Sequence, residues 1–131
     1  ALTFSTAADD AAISEAMRID SGGSLVFSNH KIHRVFNAPY NATIDTGISV
    51  NGGYHGKTLL VLMTGHTSAG MQTQSSLSLV RCGYDGNNVP VTYNLGGNFG
   101  LTAGKSANNT VTLYSATIPI YQIIELSGNI G

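Results

Sequence analysis

The chain has 131 residues, of which 42% are hydrophobic and only 10% are charged, with a formal net charge of −1. One domain of ordinary size fits this length, and the apolar share is too high for an intrinsically disordered chain. The six Lys and Arg residues are scattered along the sequence, which excludes the clustered cations that nucleic-acid binding requires. No apolar run approaches the ~20 residues of a membrane-spanning helix.

The first part of the chain, residues 1–33, predicts three very short strands at residues 2–4, 17–19 and 25–27. A strong turn signal, Asp-Ser-Gly-Gly at residues 20–23, separates the second strand from the third. Residues 7–16 are compatible with a turn or two of helix or with a loop. Each short strand offers about two apolar side chains, and a region this small does not bury a core alone. We therefore expect identical chains to wind together over residues 1–33.

From residue 34 onward the pattern changes to longer alternating strands. Turn signals rich in Gly and Asn separate them, and the clearest are residues 51–53 and 85–88. The spacing predicts an antiparallel, jelly-roll-like β-sandwich over residues 34–131, so that the whole chain is all-β. The predicted strands are residues 35–36, 42–50, 57–65, 75–84, 89–95, 98–103, 110–116 and 120–126.

Two predicted strands carry apolar residues on both faces. Alternation is lost from Leu59 to Met63, and again over residues 120–126. A strand with two apolar faces is covered on both sides, whereas a single small sandwich has only one interior. The second apolar face indicates a contact between subunits, with a local bulge or edge packing as the alternative.

A resemblance to bacteriophage tail fibres and tailspikes is carried by residues 15–27. A strand of the form Met17-Arg18-Ile19-Asp20, a Ser-Gly turn and a second short strand recur in the intertwined trimeric stems of those proteins. Residues 2–6 are similar to the strand that precedes this unit, and residues 47–57 look like the start of the β-sandwich that follows such stems. Nothing in the sequence resembles the self-cleaving chaperone into which many of these proteins continue. The resemblance implies a homotrimer on the virion tail, outside the host cell, that takes part in host attachment.

The carboxylates do not predict an enzyme. A glycosidase needs two of them facing each other across a cleft, whereas most of those present have a simpler role as turn or capping residues. No long β-helix repeat, in which capsule-degrading tailspikes usually carry out catalysis, is present. The carboxylates are Asp9, Asp10, Glu15, Asp20, Asp45, Asp85 and Glu125.

The cysteine and the histidines do not predict a metal or other cofactor. Cys82 is the only cysteine, so no intrachain disulfide is possible, and its strand position predicts a small buried hydrophobic side chain. A zinc site needs three or four ligands at a suitable spacing. Trimerisation would present each ligand three times, which leaves a site on a symmetry axis open. The histidines are His30, His33, His55 and His66.

Two loops, residues 51–56 and 84–88, combine the parts of a carbohydrate site. Such a site uses an aromatic platform beneath the sugar ring and planar amides or carboxylates for its hydroxyls. The alternative is that both loops are hairpin turns selected for positive φ, with their tyrosines packed as strand ends. A third candidate is the polar loop 66–74, whose alternative is a mobile connection. The predicted ligand-binding residues are Tyr54, His55, Tyr84, Asp85, Asn87 and Asn88.

These observations predict a non-enzymatic, carbohydrate-binding or other receptor-binding C-terminal tip of a homotrimeric fibre. The partners would be two further copies of the chain and a host surface polysaccharide or other receptor, with no nucleic acid and no membrane insertion. The alternative is a module that trimerises and caps a polysaccharide-degrading tailspike whose catalytic part lies upstream. An unrelated β-sandwich protein also remains open.

Overall fold

The computed structural model describes residues 2–6, 14–27, 31–32, 38–54, 56–66, 73–83, 87 and 89–127. All regular secondary structure in these ranges is β-strand, and every strand pairing is antiparallel, which confirms the predicted all-β class. The strands are β1 (Leu2–Thr6), β2 (Ser14–Ile19), β3 (Leu25–Phe27), β4 (Lys31–Ile32), β5 (Thr43–Ser49), β6 (Lys57–His66), β7 (Thr73–Cys82), β8 (Val91–Gly96), β9 (Leu101–Lys105), β10 (Thr110–Ser115) and β11 (Ile120–Ser127).

Most predicted strands coincide with an observed one. The two-residue strand β4 was not predicted, because two residues are too few to show an alternating pattern. The predicted strand at residues 35–36 lies outside the described residues. In the ambiguous stretch 7–16, residues 14–16 belong to β2 and residues 7–13 are not described.

The strands form two sheets, one of eight strands in the order β1-β2-β3-β4-β11-β6-β7-β8 and one of three in the order β5-β10-β9. Strand β11, the last along the chain, lies between β4 and β6 and joins the first four strands to the rest of the larger sheet. The proposed boundary at residue 33 falls among residues that are not described. The division into residues 1–33 and 34–131 therefore stays a prediction.

One hydrophobic core lies between the two sheets. The larger sheet contributes side chains such as Leu59, Val61 and Ile123, and the smaller sheet contributes Val111 and Leu113, each fully buried. Burial of a side chain of this size stabilises the fold by roughly 1.5–3 kcal/mol. This shared core holds the strands, and hence the loops between them, in fixed positions.

Candidate functional site

The two loops predicted to bind a ligand start from the same end of the sandwich. Lys57 at the start of β6 is paired with Cys82 at the end of β7, so the segments on either side of this pair lie together. The backbone N–H of Gly52 donates a hydrogen bond of 3.1 Å to the carbonyl oxygen of Gly83. The loop at residues 51–56 is therefore fixed to the residue that precedes the second loop, residues 84–88.

Tyr54 lies at an exposed turn of the first loop. Its relative accessibility is 87%, the highest among the exposed large hydrophobic residues, so it does not pack as a strand end. The turn is held by two hydrogen bonds of 2.9 Å, from Gly53 N–H to Asn51 Oδ1 and from Gly56 N–H to the Gly53 carbonyl. Gly53 and Gly56 both have positive φ, a conformation that Gly adopts without steric cost. A structured loop thus presents an accessible aromatic ring.

The other predicted ligand-binding residues are only partly described. Asn87 is exposed, and its carbonyl oxygen accepts a hydrogen bond of 3.3 Å from Lys105 Nζ. His55, Tyr84, Asp85 and Asn88 lie outside the described residues. In the third candidate loop, His66 and Thr73 pair as the last residues of a β6–β7 hairpin, and residues 67–72 are not described.

A shallow hollow of about 250 Å³ lies beside the second loop, and sequence analysis did not identify it. The Arg81 guanidinium carbon is 5.9 Å from the centroid of the Tyr93 ring, the geometry of a cation–π contact. Arg81 and Tyr93 lie on neighbouring strands, and only the β7–β8 register brings them together. The lining residues are Arg81, Cys82, Gly83, Val89, Val91 and Tyr93.

A larger polar cavity of about 580 Å³ has Asn51 of the first loop in its wall. Two ion pairs line it, one joining Lys31 Nζ to Asp20 Oδ2 at 3.1 Å and one joining Lys57 Nζ to Glu125 Oε1 at 3.1 Å. Lys31 is also the cross-strand neighbour of Glu125, so the four charges alternate in sign along the wall. The volume falls within the range of small-molecule sites.

The carboxylates of this region are arranged as ionised acceptors. Hydrogen bonding by the backbone N–H of Ser24, together with Lys31, lowers the pKa of Asp20 below its ordinary value. The pKa of Asp45 is lowered because Thr110 Oγ1 donates to it at 2.6 Å and Gly47 N–H donates at 3.0 Å. A glycosidase requires one carboxyl with a raised pKa to act as the acid. The lowered pKa values suit Asp20 and Asp45 to structural or binding roles rather than to the role of a catalytic acid.

Cys82 is buried among core side chains, and burial raises the pKa of its thiol to about 11. The thiolate is the reactive species, so the native thiol should react very slowly at pH 8. We expect iodoacetamide to modify Cys82 quickly in denaturant and at least about tenfold more slowly in the native protein. Equal rates would contradict the burial of this thiol.

The raised pKa also implies that the contribution of Cys82 to stability is present below pH ~9 and is lost as the pH rises towards 11.

Within the described ranges, no three His, Cys, Asp or Glu side chains are grouped so that they could hold a metal ion. The same ranges contain no helix of the length and apolarity needed to cross a bilayer. No family model, no curated protein and no solved structure matches this chain.

Proposed function

We propose that this chain is the receptor-binding, carbohydrate-binding C-terminal tip of a homotrimeric phage tail fibre or tailspike. In this proposal residues 1–33 belong to the trimeric stem, residues 34–131 form a jelly-roll-like sandwich, and the protein acts on the virion without catalysis. The observation that carries the binding role is Tyr54, an exposed aromatic ring on a loop that is hydrogen-bonded to the start of a second polar loop. Loops held on a rigid scaffold are where recognition residues concentrate.

The surroundings of Tyr54 supply the remaining chemistry of a sugar site. The polar cavity, which has Asn51 of the Tyr54 loop in its wall, offers charged donors and acceptors. A saccharide ring places its apolar face on an aromatic side chain and its hydroxyls on such polar groups. An extended polysaccharide would contact Tyr54 and the polar cavity together.

A glycan screen followed by substitution of Tyr54 tests this function. We expect Tyr54→Ala to weaken binding of the recognised glycan by roughly tenfold to a hundredfold, as for an aromatic residue at the centre of a contact. Tyr40→Ala is the matched control, because Tyr40 is also exposed, at 55%, and precedes β5 at the end opposite to the Tyr54 loop. Equal binding by both variants would remove this loop as the site.

The second candidate function is a structural module that trimerises and caps a polysaccharide-degrading tailspike. The observation that favours it is the pairing of β4 with β11, which joins the four N-terminal strands to the other four strands of the larger sheet. Retained assembly without binding to host glycans or host cells would support this candidate over the first.

A further inference from the structure

The larger sheet has a second face, opposite to the core. On β6 the fully buried side chains are Leu59, Val61 and Met63, so Leu60 and Leu62 between them lie on the other face. Cross-strand partners in an antiparallel ladder lie on the same face. The strand register therefore identifies the residues that share the face of Leu60.

Following the register of Leu60 gives one row across the whole sheet. Towards one edge, Leu60 is paired with Leu79, and Leu79 with Tyr93. Towards the other edge, Leu60 is paired with Ile124, which continues through three further strands to β1. All eight strands contribute an apolar residue to this row, which reads Leu2, Ile19, Leu25, Ile32, Ile124, Leu60, Leu79 and Tyr93.

More apolar side chains flank this row. Phe4, Met17 and Phe27 are paired with one another in a second row across β1, β2 and β3. Val91 and Leu95 lie two residues on either side of Tyr93, on the same side of β8. We define the outer face as these five residues together with the row of eight.

The charged residues of β4, β6 and β11 point away from the outer face, whereas Arg81 of β7 is paired with Val91 and lies on the outer side, over the Tyr93 ring. Lys31 and Glu125 are next to Ile32 and Ile124 of the outer face and therefore point to the inner side, and Lys57 is on the same side of β6 as the buried Leu59. The ion pairs of these three residues line the polar cavity. A sheet with one solvated face normally places polar side chains on that face and apolar ones inside. Here strands β4, β6 and β11 direct charged groups inward and apolar groups outward.

Much of the outer face is open to solvent. Leu2 is 57% exposed, Val91 and Leu95 are each 54% exposed, and Phe4 is 47% exposed. Eight strands of two to ten residues, spaced ~4.8 Å apart, give a sheet face of roughly 600 Å². The residues of the outer face form the apolar part of this surface, whose full area approaches the ~800 Å² per partner of a stable interface.

We propose that the outer face is the surface through which copies of this chain associate. This inference rests on the proposed function in that the fibre tip is built from identical chains, and it names the surface they share. Around the symmetry axis of a homotrimer the same residue of each copy can lie near its equivalents, so a charged face would repel its own copies. The row of eight carries no charge, so that it can pack on a second copy without this repulsion.

Disruption of the outer face at exposed positions tests the proposal. The double variant Tyr93→Asp with Leu95→Asp adds two charges to side chains that are 45% and 54% exposed, so the folded single chain should tolerate them. We expect the unaltered protein to be an oligomer by light scattering, and the double variant to have the mass of one chain with its β-sheet circular dichroism retained. Tyr40→Asp, which places the same charge on a 55% exposed residue outside the outer face, should leave the oligomer intact.

A labelling experiment keeps the test decisive if the double variant fails to fold. In the oligomer, Tyr93→Cys should react with a maleimide dye at least about tenfold more slowly than Tyr40→Cys, because assembly covers only the first position. The proposal would be overturned if the double variant still forms the oligomer, or if the two cysteine variants are labelled at equal rates. A monomeric unaltered protein would also overturn it. Glycan binding is measured in parallel. An oligomer formed through the outer face that binds no host glycan would contradict the proposed function and leave this inference standing.

Discussion

Glu125→Gln is expected to lower the free energy of unfolding by about 3–5 kcal/mol, the largest effect of any single substitution considered for this chain. Lys57 and Glu125 have side chains only 3% and 4% exposed, and their charged atoms are 3.1 Å apart. Removal of the carboxylate charge leaves the Lys57 ammonium buried without its ionic partner. Urea unfolding at a fixed protein concentration measures the change, because assembly couples stability to concentration.

A control for this substitution is present in the same chain. Glu15 pairs with Arg18 at 2.7 Å, but the two side chains are 43% and 32% exposed. Glu15→Gln should therefore cost less than about 1 kcal/mol. Joint replacement by Lys57→Met and Glu125→Leu should restore most of the stability, because no buried charge is then left unpaired. An effect of Glu125→Gln no larger than that of Glu15→Gln would show that water reaches this pair.

Gly52→Ala is expected to destabilise the protein by roughly 1–3 kcal/mol or more, since a Cβ at this position would overlap the backbone of Gly56 and Lys57. These backbone atoms cannot move aside without shifting the start of β6. Because Gly52 also binds Gly83, the substitution should displace the Tyr54 loop and weaken glycan binding. Thermal unfolding and the glycan assay measure the two effects.

Gly100→Ala is the matched control for the substitution at Gly52. A Cβ at Gly100 meets no atom within 4 Å, and this residue is not among the glycines with positive φ. The same change should be neutral there or stabilise the protein by up to about 1 kcal/mol, because alanine restricts the unfolded chain. Similar losses at both positions would contradict the close backbone approach at Gly52.

The strands were predictable because their signals are local. Alternation over 110–116, the apolar run at 59–63 and the turn residues between strands place most elements within a few residues of their observed bounds. Strand order was not predictable, because pairing β11 between β4 and β6 depends on contacts between distant residues. The prediction that β6 and β11 have two apolar faces came from lost alternation. Its extension into one row across eight strands required the register.

One feature of the candidate site was also predictable from local sequence, and the others were not. The exposed Tyr54 follows from a Gly-rich loop between two strands, which is a local pattern. The ion pairs of the polar cavity and the Arg81–Tyr93 contact join residues far apart in sequence, and six scattered cations gave no sign of them. The spacing of residues along the chain does not predict these side-chain contacts unless the strand register is also known.

The position of β11 also restricts the order in which this chain can fold during synthesis. Ile32 is paired with Ile124 in the sheet, so one edge of β4 has no permanent neighbour until the ribosome has released residues 120–127. This edge of β4 must remain unpaired, or pair transiently with another nascent chain, while the ribosome makes about ninety further residues. Neighbouring chains on one polysome would then meet with their first four strands still incomplete. Closure of each sheet by its own last strand would be the step that commits the molecule to its final partners.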